Sequence, residues 1–600
     1  MKGFFKTTLA VIVGFFISSA IIFAFSMVFF IGLIAASSSS EPTNVDPQTV
    51  LVLDISKSIK EIGEVDPFEK LNSSYFPSNA AIGLHDLLDI IDKASKDDNI
   101  VGIYLKGGTF GGSMPMAIEV REALEEFKAK EKFVYAYADG ISEAGYYVIS
   151  ESDKIYLNPH GALEFNGLSS EMMYYKKFFE KIGVEPEVFR VGKYKSAVEP
   201  FITDKMSDAN REQITSYLNN LYNHYLEGVA ASRSLDLEEI RDISNNMRIR
   251  NAKDALKYRF VDELVYVDQV KQYIADELSL ETPSDLSTIS YTTYKGALDP
   301  RSRQKGSGKI AILSAEGEII YGPKQNGQSA ISNKDLISDI NDLAEDDDIS
   351  AVVLRVNSPG GSALSSDLIW RAIQKLKEKK PVVASMSTYA ASGGYYISVA
   401  CDKIVAYPNT ITGSIGIFGL AFNPSELINK KMGLKTYAVS TGKFSNFQSV
   451  LDDFNDADRA IIQQSVEEGY ETFTTKVAQG RNMKVEEILK IAQGRVWTGE
   501  QAKEVNLVDE LGGIDKAIEM AASLADLEEG DYKVKYLPGE KDFFQDLLSE
   551  LDNSAKVSIK NYLYGDYSSY LDKTLFWMKN KKGVQASLPF YQEIEGFERP

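Results

Sequence analysis

Cysteine is almost missing from this 600-residue chain. The one cysteine, Cys401, has no partner for an internal disulfide and sits in an apolar run, so it reads as a small buried hydrophobe. Histidine is nearly as scarce: His85, His160 and His224 lie scattered in the first half, without the spacing of a zinc site. No block of lysine and arginine stands out, and the formal net charge is -21 at pH 7, which argues against nucleic acid as a partner. Low-complexity sequence is confined to the serine run Ser37–Ser40.

What is present is ordinary globular composition, 44% hydrophobic and 25% charged, in a chain long enough for two to four domains. Residues 1–40 form an exception. Lys2 and Lys6 are followed by no charge until Glu41, and the apolar stretch between is long enough to cross a bilayer as a helix. It predicts an uncleaved N-terminal membrane anchor rather than a signal peptide, whose apolar core is shorter. The charges flanking it place the N-terminus in the cytoplasm and the bulk of the chain outside.

After that stretch the chain repeats itself. Ile100–Ser113 aligns with Ile349–Ser362 at an offset of 249, and the same offset pairs Gly145, Tyr146 and Tyr147 with Gly394, Tyr395 and Tyr396. Asp153–Ile155 falls on Asp402–Ile404, and Pro159 on Pro408. Constant spacing over this length predicts two tandem copies of one domain, joined in the polar stretch 282–308. Each copy alternates short apolar runs with amphipathic segments, the order of an α/β fold with a parallel sheet. The expected division is an anchor at 1–40, a first copy at 48–300, a second at 307–540 and an aromatic-rich extension at 541–600, expected to pack on its own domain.

The copies differ where chemistry would sit. Tyr407–Gly419 reads as a strand running into a glycine-relieved turn, with Ser414 between Gly413 and Gly416. Alone this is more often a plain turn than a nucleophile. The first copy has Phe165 at that position. Some thirty residues further on the difference reverses: allowing one residue of slippage, Lys195 of the first copy faces Ser445 of the second. A serine hydroxyl needs a base to become a nucleophile. The second copy has no histidine, and His160 stands where the second copy has Asn409, which leaves lysine. Lys195 has Tyr194, Ala197, Val198 and Phe201 around it, and burial lowers a lysine pKa towards neutrality. Any single lysine is otherwise a solvated surface charge. For an oxyanion, the Gly360–Gly361 turn and the N–H of Ile415 are candidate donors.

Four motifs, Leu354–Ser362, Ser392–Tyr396, Thr412–Gly419 and Tyr194–Phe201, together resemble the signal peptide peptidase A (protease IV) family in its long, duplicated form. The resemblance implies two tandem Clp/crotonase-like domains preceded by an N-terminal transmembrane helix. It implies a serine peptidase with Ser414 as nucleophile, Lys195 as general base, and Gly360, Gly361 and Ile415 lending backbone N–H groups to the oxyanion. Serine from one copy and lysine from the other would then make one site across the interface. Ser440 or Thr441 could supply the hydroxyl that orients such a lysine. The resemblance further implies no metal or cofactor, signal peptides and other unfolded peptides as substrates, and a homotetramer on the membrane. It places the enzyme in a bacterial inner membrane, with its catalytic domains on the periplasmic side. A crotonase-like acyl-CoA enzyme and a non-catalytic membrane scaffold ring are the competing expectations.

Overall fold

The apolar run Ile100–Lys106 forms a strand in which Ile103 and Leu105 face one side and Tyr104 the other, all buried. Burial on both faces is the mark of a parallel strand covered by helices above and below. In the computed structural model of the chain this strand lies inside a six-stranded sheet. Its spatial order is Glu263–Leu264, Lys154–Leu157, Phe133–Ala138, Ile100–Lys106, Thr49–Asp54 and Thr288–Ser290, all parallel. The structure describes residues 45–63, 80–297, 308–324, 329–447, 449, 453–528, 531–538 and 584–587, with residues 3, 13–19, 21, 22 and 25 near the start.

The second half repeats that order. Glu510–Leu511, Lys403–Ala406, Val382–Ala391, Ala351–Ser358, Gly308–Glu316 and Tyr532–Leu537 follow one another in parallel. Val382–Ala391 also pairs with Ile411–Gly413, which pairs antiparallel with Val496–Thr498. Successive residues again serve opposite faces. Leu313, Val352 and Leu354 join the core under Ala363–Lys377, and Ile312, Ala351 and Val353 join the one under Ile514–Leu524. The helix Ala363–Lys377 starts where it does because the Ser362 side chain caps it, accepting from Ser365 N at 3.3 Å.

A third sheet joins the halves. It contains β1 (Glu185–Arg190), β2 (Gly360–Ser362), β3 (Phe418–Asn423) and β4 (Val584–Ser587). β1, from the first half, runs antiparallel to β3, from Arg190 opposite Phe418 to Glu185 opposite Asn423. β4 lies between β2 and β3, antiparallel to both. Polar contacts add to the seam: Arg355, 3% exposed, donates to Glu61 at 2.9 Å and to Glu119 at 2.5 Å, and Tyr407 Oη donates to Glu122 at 3.0 Å.

The expected N-terminal transmembrane helix is corrected here. Among the described residues no helix is long and apolar enough to cross a membrane. Within 1–40 only residues 3, 13–19, 21, 22 and 25 are described, and the rest of the expected span lies outside the described residues. The readings that depended on that helix fall with it: membrane anchoring, the membrane as a partner, and the inner-membrane placement with periplasmic domains. The homotetramer expected on that membrane has no support in the single chain. The 541–600 extension lies outside the described residues apart from β4.

Candidate active site

Ser414 stands where the strand Ile411–Gly413 ends. Gly413 (φ 72°) and Ser414 (φ 49°) are both left-handed, a conformation that is costly for serine and must be held by its surroundings. A hydrogen bond from Ser414 N to Arg495 O, 2.7 Å, supplies part of that hold. Glycine is required at 413, since a Cβ there would lie 2.7 Å from Trp497. The twist turns the Ser414 hydroxyl off the sheet edge towards the first half.

Lys195 arrives from that half. β1 ends at Arg190, Gly192 turns the chain (φ 99°), and Tyr194 N donates to Gln493 O at 3.0 Å. Gly494 packs so closely that a Cβ on it would lie 2.7 Å from the Cβ of Lys195. Gln213, on the helix Asp208–Arg233, braces the same loop by donating to Tyr194 O at 3.0 Å and Ser196 Oγ at 2.8 Å. Lys195 and Ser414 are both 0% exposed. The Lys195 Nζ is 3.0 Å from Ser414 Oγ, 3.1 Å from Ser414 O and 2.8 Å from Ser392 Oγ.

The structure thus brings Lys195 and Ser414 into hydrogen-bond contact, across 219 residues of sequence. Ser440 and Thr441, offered by sequence as the hydroxyl beside the lysine, lie in an exposed segment and bond to Asn446 and Ser445 instead. The hydroxyl on Lys195 is that of Ser392, which sequence reasoning missed. Ser392 is also held left-handed, at φ 55°, with its N–H on Gly413 O at 2.8 Å. The signal for it was present, because Ser392 opens the Ser-Gly-Gly-Tyr-Tyr motif and stands at the repeat position of Glu143. His160 is exposed.

Of the glycine pair, Gly360 (φ 98°) and Gly361 (φ 156°) both form β2. Gly360 N donates to Ser358 Oγ at 3.2 Å. A Cβ on Gly361 would lie 2.1 Å from Ile319 O, so only glycine lets β2 lie against its neighbour. Ile415 is 1% exposed, and its carbonyl accepts from Gly494 N at 2.8 Å. Phe165, the first-half counterpart of Ser414, is packed against Tyr146, Tyr225 and Phe260. Among the described residues no cluster of histidine, cysteine and carboxylate side chains is placed to hold a metal ion.

Comparison with known proteins gives concordant results. Residues 126–281 and 374–528 each match Peptidase family S49. The chain is 36% identical to "Protease 4" of Salmonella typhi, over 79% of this chain and 77% of that one. It is 34% identical to "Protease 4" of Haemophilus influenzae, over 83% and 82% respectively. With "Serine protease SPPA, chloroplastic" of Arabidopsis thaliana it shares 32% identity, over 75% and 67%. A solved ClpP1 mutant from Listeria monocytogenes covers 34% of the chain at 16% identity and a TM-score of 0.24, a likeness too small to bear on the fold. The family's domain occurring twice, together with relatives that span most of the chain, shows that the protein belongs to Peptidase family S49, the serine peptidases of the signal peptide peptidase A and protease IV kind, in the duplicated form.

Proposed function

We propose that this serine peptidase cuts extended peptides at one site built from both halves, with Ser414 as nucleophile and Lys195 as general base. The observation that carries this reading is the 3.0 Å contact between Lys195 Nζ and Ser414 Oγ with both side chains fully buried. Burial disfavours the charged form of an amine, and only the neutral amine takes a proton. Ser414 Oγ attacks the peptide carbonyl as Lys195 takes its proton. Lys195 then gives that proton to the departing amine, and water hydrolyses the acyl-enzyme by the reverse exchange. The domains at 48–300 and 307–540 belong to this reading, the first contributing the lysine and the second the serine.

Substrate shape follows from the third sheet. β4 fills a gap one strand wide between β2 and β3, and β3 begins four residues after Ser414. A peptide added in that gap would pair with both neighbours through its main chain, a mode that gives affinity with little demand on sequence. Running antiparallel to β3, its carboxyl-terminal direction leads towards Ser414.

A serine-directed fluorophosphonate tests the assignment. Labelling at Ser414 that is lost in Ser414→Ala and in Lys195→Ala is the expected result. Full labelling and full peptide cleavage by Ser414→Ala would refute it.

A further inference from the structure

Base and nucleophile belong to different halves, so their separation depends on how one half is held against the other. The helix Asp208–Arg233 of the first half presents Gln213, Ser216, Asn220 and His224, spaced three and four residues apart and so on one face, to residues 493–501 of the second. Gln213 Oε1 accepts from Val496 N at 3.3 Å, and Gln501 Nε2 donates to Ser216 Oγ at 3.1 Å. Glu500 Oε2 accepts from Asn220 Nδ2 at 2.6 Å and lies 3.1 Å from His224 Nε2.

The start of that segment touches both members of the dyad. Gln493 O accepts from Tyr194 N, one residue before the base, and Arg495 O accepts from Ser414 N. The Arg495 side chain makes the same link a second time. Its Cζ lies over two rings, 4.4 Å from the centroid of Trp497 and 5.1 Å from that of Tyr194. Trp497 rests against Gly413, beside the nucleophile. Arg495 Nη1 donates to Tyr194 Oη at 3.3 Å and to Glu212 Oε1 at 3.1 Å, and Tyr194 Oη donates to the same carboxylate at 3.1 Å. Lys195 O accepts from Arg190 Nη1, within its own half, at 3.3 Å. Arg495 reaches the same loop from the half that carries Ser414.

The first half supplies a comparison. Phe260–Leu264 aligns with Leu507–Leu511 at an offset of 247, which sets Arg248 opposite Arg495. Arg248 pairs with Asp242 of its own half at 2.5 Å, and both side chains are about half exposed. Both copies thus have the arginine, and the copy with the nucleophile turns it towards the base. Its worth to the fold is small. Glu212 is half exposed, and an ion pair so open to water adds little stability. The Arg495 Nε is buried with no acceptor among the described residues, which offsets part of that gain. What the side chain provides is aim, since a misplacement of about 1 Å between reacting groups costs about 100-fold in rate.

We propose that Arg495 is a positioning residue whose guanidinium, held on Tyr194 and Trp497, fixes the Lys195 loop of the first half against the Ser414 turn of the second. This rests on the Ser414–Lys195 reading above.

The test is steady-state kinetics on a peptide with the full chain carrying Arg495→Met, whose unbranched side chain still packs on both rings. kcat is expected to fall about 10- to 100-fold, with KM within about threefold and the melting temperature within about 3 °C of the unaltered chain. Arg248→Met is expected to change none of the three. A kcat within about threefold for Arg495→Met, or a change confined to KM, would overturn the proposal. In a Tyr194→Leu background, which removes the ring and hydroxyl that Arg495 grips, Arg495→Met is expected to lower kcat less than about threefold further. A full further loss there would show that it acts by another route and would also overturn the proposal. Ser414→Ala and Lys195→Ala are assayed beside these variants. If they cleave peptide normally, the dyad reading fails; if they are inactive while Arg495→Met keeps its kcat, only the positioning role fails. Should Arg495→Met melt lower or not fold, Arg495→Lys decides, because it keeps the charge facing Glu212 and loses the flat stacking group. It is expected to lower kcat about threefold or more at constant KM, and an unchanged kcat would overturn the proposal.

Discussion

The Nζ of Lys195 lies 2.8 Å from the Oγ of Ser392, closer than to either oxygen of Ser414. Ser392 therefore aims the amine, and it does so from a strained backbone position (φ 55°), where its N–H is tied to Gly413 next to the nucleophile. Ser392→Ala should leave KM near its original value and lower kcat by roughly 10- to 100-fold, part of what a positioned base contributes. Steady-state kinetics on a fluorogenic peptide check this. A change in KM alone would mean that Ser392 serves substrate binding instead.

Gly494 holds the lysine from the other side. Its φ of 77° and the 2.7 Å approach to Lys195 leave no place for a methyl group. Gly494→Ala should cost about 1 kcal/mol or more of stability from backbone strain alone. It should lower kcat much further than that loss accounts for, because the lysine must shift. Denaturant melts and kinetics on the same preparation separate the two effects.

Two carboxyls, buried Glu143 and half-buried Glu316, make stability depend on pH. Burial pushes Glu143 up to about 7 against the pull of its two backbone N–H partners. Burial, with Glu61 nearby, likewise pushes Glu316 up to about 7. Both lie above the ordinary glutamate value, so between about pH 4.5 and 7 the folded chain binds more protons than the unfolded one, and stability falls as pH rises through that window. Melting temperatures should therefore decline from pH 5 to pH 7.5, and Glu143→Gln should decline less steeply. An unchanged slope in Glu143→Gln would remove that residue from the effect.

β4 occupies the gap assigned to substrate, so the two must compete. Proline within a strand removes a ladder donor and is poorly accommodated between two neighbours. Ala586→Pro, at the position opposite Gly361, should lower KM severalfold at constant kcat. A raised KM would show that β4 builds the groove rather than filling it.

Much of this was legible before any coordinates. The offset of 249 gave the duplicated α/β order, because apolar runs buried on both faces carry a strong signal. Phe165 opposite Ser414, and Lys195 without a lysine opposite it, pointed to a shared site. Ser392 was legible only as the first residue of the Ser-Gly-Gly-Tyr-Tyr motif; nothing in one sequence tells which of many hydroxyls comes within 3 Å of an amine that enters from another domain. The apolar N-terminal stretch misled in the opposite way, since length and hydropathy indicate that a segment can span a bilayer and not that it folds as a spanning helix.

The central claim, one site with its base from the first half and its nucleophile from the second, is tested most directly by kcat/KM of the full-length Lys195→Ala variant on a peptide substrate. Loss of a general base typically costs 100- to 10,000-fold, so the account predicts a fall of at least about 100-fold with the Ser414 side chain still in place. A kcat/KM within about tenfold of the unaltered enzyme would contradict it.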